Sequence, residues 1–151
     1  MKTLILLLLL ISSTSVLTQT SSYGFGSSSG TYTEITGGTV LGITANDEQV
    51  FNNSTAGETG PQTDIGFPIG FSFNFNGIVY DRFAVNNNGW IKLGTGSFTI
   101  GATTTPISYS GTTGFENIIS PMGRDLQGQT GSELSYLLTG SSPNRVLVVQ
   151  W

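Results

Sequence analysis

From Ile65 to Phe75 every odd position is apolar: Ile65, Phe67, Ile69, Phe71, Phe73 and Phe75. Gly66, Pro68, Gly70, Ser72 and Asn74 stand between them. A period of two gathers all of these apolar side chains on one face of a β-strand, whereas a helix would scatter them around its circumference. Burying each is worth roughly 1.5–3 kcal/mol, and a one-residue slip would turn the whole set into water. The segment is therefore expected to fix the register of a sheet. Pro68 has no N–H and belongs near the strand's start or on an unpaired edge. Asn76-Gly77 follows, the strongest two-residue hairpin signal because both positions tolerate positive φ. The return strand, Ile78 to Asn86, changes phase: Ile78 and Tyr80 fall on one face, Phe83 and Val85 on the other. Simple pairing would set Arg82 opposite Phe71, so a β-bulge is predicted near Asp81-Arg82.

The rest of the chain reads as short strands between turns. Thr31–Ile35 and Thr39–Ile43 carry β-propensity and are separated by Gly37-Gly38. Residues 46–60 form a polar loop interrupted by Val50-Phe51. Asn86-Asn87-Asn88-Gly89 is a turn, followed by strands at Trp90–Leu93 and Phe98–Ile100. Ile118-Ile119 is an apolar pair ended by Pro121. Leu134–Leu138 and Arg145–Trp151 are strands joined through a turn containing Pro143. Such spacing predicts an all-β fold, a two-sheet antiparallel β-sandwich of jelly-roll-like type, with a closed barrel as the alternative. The chain runs out inside its final strand, so a β-sandwich domain over residues 32–151 is expected to be truncated at its C-terminus, the N-terminal piece of a longer protein. An open edge at that last strand would favour self-association.

The first residues follow another logic. Met1-Lys2, the unbroken apolar run Leu4–Ile11 and the small polar stretch Ser12–Thr20 have the layout of a secretory signal peptide. The run is too short for a bilayer, which needs about 20 residues. Residues 1–18 are read as the signal, with cleavage after Thr18 or Thr20, and 19–31 as a Ser/Gly-rich lead-in. This places the protein outside the cell or on its surface. A lipid anchor needs a Cys, and there is none.

Past the signal, four basic residues (Arg82, Lys92, Arg124, Arg145) stand against nine acidic ones. Nucleic acid is a poor partner for such a chain, and so is an anionic membrane surface. Gly is 21 of 151 residues, about twice its usual share, as expected for a domain of many turns. With no disulfide to staple it, the domain must be held by packing and strand pairing alone.

The absence of His excludes a Ser-His-Asp arrangement, and the absence of both His and Cys excludes thiol catalysis and ordinary zinc sites. Carboxylate chemistry remains, but Asp81, Glu116, Asp125 and Glu133 show no paired spacing. Asn46, Asp47 and Glu48, and Asp81 near the Asn86–Asn88 turn, offer oxygens of the kind calcium takes, although Asn and Asp form turns through their own hydrogen bonds. Neither a metal site nor a cofactor is predicted, and no catalytic residue. Asn52-Asn53-Ser54-Thr55 holds two overlapping glycosylation sequons, read as a polar loop. Trp90, Tyr80 and Tyr136 are candidate ligand-binding residues, an aromatic platform for sugars, against the commoner role of strand aromatics as core. Arg124-Asp125 is read as a structural pair.

Four stretches carry a resemblance: Ile65–Tyr80, Phe83–Leu93, Asn117–Leu126 and Pro143–Trp151, with Tyr32-Thr-Glu-Ile-Thr-Gly-Gly-Thr39 at the start. Together they resemble the N-terminal β-sandwich module of large secreted Bacteroidetes proteins, which commonly continue into fibronectin type III repeats and a type IX secretion sorting domain. More remotely, the Phe/Tyr/Asn-Gly pattern resembles nidogen-like extracellular domains, which often have an aromatic pair where this chain has Met122-Gly123. The resemblance implies a non-catalytic extracellular module of a larger protein, in adhesion, display or spacing. Its partners would be further domains of the same polypeptide and an extracellular glycan or protein. The alternative is a carbohydrate-binding module attached to a secreted enzyme.

Overall fold

The computed structural model describes Gly24 and residues 26–42, 48–53, 57–109 and 111–151. The proposed signal peptide, Tyr23, Phe25, Ile43, Asn46, Asp47 and the sequon residues Ser54 and Thr55 lie outside the described residues. The chain divides into two units. In the first, Met1–Tyr32, the described residues have no regular secondary structure. The second, Thr33–Trp151, carries every described strand. These are β1 (Thr39–Gly42), β2 (Gln49–Phe51), β3 (Glu58–Thr59), β4 (Gln62–Asp64), β5 (Phe67–Phe75), β6 (Ile78–Asn86), β7 (Trp90–Gly94), β8 (Phe98–Ile100), β9 (Ile118–Ile119), β10 (Leu134–Ser141) and β11 (Asn144–Gln150). One 3-10 turn covers Pro106–Tyr109.

Three predicted spans differ, the first being the polar loop 46–60, in which β2 and β3 pair with each other. Thr31–Ile35 is not a strand. Its Ile35 N–H is taken by the Gln150 side chain (2.8 Å) instead of by a neighbouring backbone, so β-propensity found no ladder to join. The apolar stripe begins at Phe67, not Ile65. Gly66 has φ +66, outside extended backbone, and a Cβ there would sit 2.7 Å from the Phe83 carbonyl oxygen. The chain turns at Gly66, and Ile65 is left on the surface, 42% exposed.

From Phe67 on, the alternation holds. Phe67 and Ile69 are buried, and Phe71, Phe73 and Phe75 are partly buried against the same cluster. The hairpin turn has φ 55° at Asn76 and φ 77° at Gly77, the left-handed pair that the Asn-Gly signal requires. Pro68 is the second residue of β5 and faces solvent. The register breaks where the phase change demanded. Phe75, Asn74 and Phe73 pair with Ile78, Val79 and Tyr80, after which pairing resumes at Pro68–Arg82 and Phe67–Phe83. Residues 69–72 thus lie across from Asp81 alone, so the extra residues sit on β5 as well as in the phase of β6. The shift returns Phe83 to the core, fully buried. Like Tyr80, it belongs to the cluster that β5 covers.

All pairings are antiparallel and fall into three sheets. One runs β1-β10-β11; the largest runs β3-β2-β6-β7-β9, with β5 also on β6; β4 and β8 form a two-stranded ribbon. The first two sheets enclose the main core. Leu41 and Leu134, with partly buried Tyr136, Leu147, Val149 and Trp151, meet Phe51, Phe67, Ile69, Tyr80, Phe83, Val85 and Leu93. This is the β-sandwich expected from the strand spacing. The reverse face of the large sheet is also covered. Val50, Ala84 and Trp90 pack there against Ile100 of the ribbon, with Phe98, Ala102, Phe115 and Ile118 around them. That double burial explains why residues 83–90 are buried without alternation.

This packing sets a contrast within one strand. Phe83→Ala should cost about 3–5 kcal/mol, whereas Val79→Ala, at a position 52% exposed, should stay within about 0.5 kcal/mol. Urea unfolding of the two variants measures the difference directly.

Candidate functional site

The three aromatics singled out as a sugar platform are placed apart. Trp90 is fully buried, donates Nε1–H to the Thr103 carbonyl at 3.1 Å, and packs on Phe115 with ring centroids 6.0 Å apart. Tyr80 is 4% exposed, in the cluster on the other face of the large sheet. Tyr136 is partly buried in that same cluster, edge-on to Phe83 at 5.2 Å and tilted against Phe67 at 5.7 Å. Tyr80 and Tyr136 thus share a core with each other but not with Trp90, and the three rings present no common surface.

What the strands do assemble is the turn between β6 and β7. Asn86, Asn87, Asn88, Gly89 and Trp90 are all buried. The turn closes with the Gly89 N–H on the Asn86 carbonyl (3.2 Å) and the Asn88 N–H on Asn86 Oδ1 (2.8 Å). Its outward polar groups hold the surrounding loops. Gln49 and Asn87 exchange two hydrogen bonds, the Gln49 N–H to Asn87 Oδ1 and the Asn87 N–H to the Gln49 carbonyl, both 3.0 Å. Asn88 Oδ1 accepts from the Leu126 N–H at 2.9 Å, and its amide donates to the Thr103 carbonyl at 3.4 Å. The Met122 N–H reaches the Gly89 carbonyl (3.2 Å), and the Arg124 N–H the Asn88 carbonyl (3.1 Å). Trp151 donates Nε1–H to the Asn86 carbonyl at 2.8 Å. Gly89, at φ +77, faces Met122 so closely that a Cβ would lie 2.6 Å from Met122 Cβ. Short amide side chains suit such a centre, since each offers donors and acceptors that buried backbone needs.

Beside the turn lies a buried charge. Lys92 shares the Trp90 face of β7 and is 1% exposed. Its Nζ meets Glu116 Oε1 at 2.6 Å and, among the described residues, has no hydrogen-bond partner besides that carboxylate. Partial burial pushes the Glu116 carboxyl upward, but the Lys92 ammonium and backbone donors at Glu116 and Gly114 outweigh it and hold the group below its ordinary value. The pattern Trp90-Ile91-Lys92-Leu93 contained the signal for this, because period two puts Lys92 beside Trp90. What hid it was that the second face of the strand proved to be core. The other carboxylates stand apart: Asp81 is exposed at the register break, Asp125 exposed and Glu133 half-buried. Among the described residues no three His, Cys, Asp or Glu converge as a metal would require.

Among the described residues the site is thus an anchorage of backbone and amide groups. The family model described as NIDO related matches residues 22–151. The chain belongs to the NIDO-related family. NIDO-related, that is nidogen-related, domains are extracellular modules not known for catalysis. No curated protein and no solved structure matches the chain. In this NIDO-related domain the Met122 and Gly123 backbone N–H groups both donate to the Gly89 carbonyl. Among the described residues no helix is long and apolar enough to cross a membrane.

Two outcomes follow from this site. Asn88→Ala leaves the Leu126 N–H without its acceptor and should cost roughly 1–3 kcal/mol in urea unfolding. Glu116→Gln strands the buried Lys92 ammonium and should lower the melting temperature near neutral pH, and by more than Lys92→Met does. Because the Glu116 pKa is depressed on folding, the pair stabilises fully above its ordinary value of 4.5 and loses that contribution as pH falls below it. The wild-type advantage over Glu116→Gln should therefore shrink in melts taken from pH 7 down to about pH 3.

Proposed function

We propose that this NIDO-related domain is a non-catalytic module of a larger secreted or cell-surface protein, serving adhesion, display or spacing. The observation that carries the reading is the family match across residues 22–151. It is supported by the use made of the buried amides of Asn86, Asn87 and Asn88, which hold backbone in place. The resemblance of residues 65–80, 83–93, 117–126 and 143–151 to N-terminal modules of Bacteroidetes type IX secretion proteins makes further domains of the same polypeptide its nearest partners. The leader-like residues 1–18 make export its route. Carbohydrate binding is the second reading, and it would have to use rings other than Trp90 and Tyr80, which are core.

The test is to express the gene with an epitope after residue 151 in its own host, then to digest intact cells with protease. Loss of the epitope from the cell surface, or its recovery in the medium, is the expected result; a protected cytoplasmic epitope would refute the proposal. A glycan array probed with the intact domain separates the two readings, since reproducible binding to one glycan class would move the role from spacing to recognition.

A further inference from the structure

The dipeptide Asn-Gly occurs twice in the chain, at Asn76-Gly77 and at Asn88-Gly89. In this dipeptide the backbone can attack its own side chain. The glycine nitrogen loses its proton and adds to the Asn Cγ, the side-chain amide leaves as ammonia, and a five-membered succinimide closes. Water then opens the ring at one carbonyl or the other. The product is Asp, or isoaspartate with the chain rerouted through the side chain. Glycine permits the closure because it has no side chain to crowd the ring. No enzyme or co-reactant other than water is required. Access is: the Asn side chain must swing onto the next nitrogen, and that nitrogen must be free to attack.

The fold treats the two dipeptides oppositely. Asn88 is fully buried. Its Oδ1 accepts from the Leu126 N–H at 2.9 Å, and its amide donates to the Thr103 carbonyl at 3.4 Å. The attacking nitrogen is engaged as well, since the Gly89 N–H donates to the Asn86 carbonyl at 3.2 Å. Asn76 and Gly77 are both exposed, and nothing lies within 4 Å of a Cβ built on Gly77. The rung that closes their turn is Phe75–Ile78. A two-residue hairpin closes through the N–H of its fourth residue, here Ile78, so the Gly77 nitrogen stands outside that bond.

The surroundings widen the contrast. β7 pairs with β6 from Arg82 to Asn86, so among the described strands the hairpin end from Phe73 to Tyr80 is two strands wide. The left-handed Asn76 (φ 55°) must rotate before its Cγ meets the Gly77 nitrogen. A hairpin end opens locally at little cost, whereas the buried turn opens only with the layers around it.

We infer that Asn76 is a self-modification site, converted by its own backbone to aspartate and isoaspartate, and that the fold protects the same dipeptide at Asn88. The product adds a negative charge at the hairpin tip. Isoaspartate also adds one carbon to the backbone of a turn built for two residues, so the Phe75–Ile78 rung loses its register. Phe73 and Phe75, stacked with centroids 6.4 Å apart and packed against the main core from this arm, loosen first.

The test is to age the purified chain, folded, in warm and mildly alkaline buffer beside a second sample in urea, and to digest and weigh the peptides over time. In the folded sample the Asn76 peptide should gain about 1 Da and split into aspartate and isoaspartate forms, at least about ten times faster than the Asn88 peptide changes. In urea the two rates should come within about threefold of each other. Asn76→Ser should remove the fast site. The aged isoaspartate form should melt below Asn76→Asp, which keeps the ordinary backbone. Three results would overturn the inference: equal rates at Asn76 and Asn88 in the folded protein, an Asn76 that stays intact while the urea sample is consumed, or an isoaspartate form that melts with Asn76→Asp.

Discussion

Asn88 is fully buried, and its side chain is divided between two loops: Oδ1 holds the Leu126 N–H, and the amide faces the Thr103 carbonyl. Around it, Asn86, Asn87 and Gly89 fasten β2, the segment after β9 and the last residue of the chain. A turn is normally a surface feature, because buried backbone must find partners away from water. This one is buried because three successive amide side chains supply what water would. The remaining loops depend on it, since residues 101–105 and 122–126 contain no strand of their own. Their order comes from the turn they bond to.

The same constraint accounts for the arrangement of layers. A turn can be buried only if both faces of its sheet are covered, and here the β1-β10-β11 sheet covers one face while the ribbon and the Phe115 loop cover the other. Lys92 is the cost of that second layer. Its stem lines the second core, and its ammonium reaches the margin only far enough to meet Glu116. A domain without disulfides gains its rigidity from this double burial, together with the aromatic contacts of Phe67, Phe83 and Tyr136.

A NIDO-related module built in this way offers structure before chemistry. The buried amides of its central turn are bonded to its own backbone, and the titratable groups described on its surface are scattered.

The sequence alone carried the local decisions. Period two over Phe67–Phe75, positive φ at Asn76-Gly77 and the phase change between Tyr80 and Phe83 are properties of neighbouring residues, so the hairpin and its register break were legible without coordinates. So was the β-sandwich class, from the spacing of short strands. Three matters lay outside its reach. Ile65 continued the alternation and was still excluded, because Gly66 had to turn where the Phe83 backbone leaves no room for a side chain. Thr31–Ile35 had strand propensity but no free ladder to join. Trp90, Tyr80 and Tyr136 had the chemistry of a binding platform, yet Trp90 and Tyr80 are buried on opposite faces of the large sheet and Tyr136 packs from the sheet facing it. Propensity and pattern act between residues close in sequence; burial of a face depends on segments tens of residues away, and only the folded arrangement decides which segments those are.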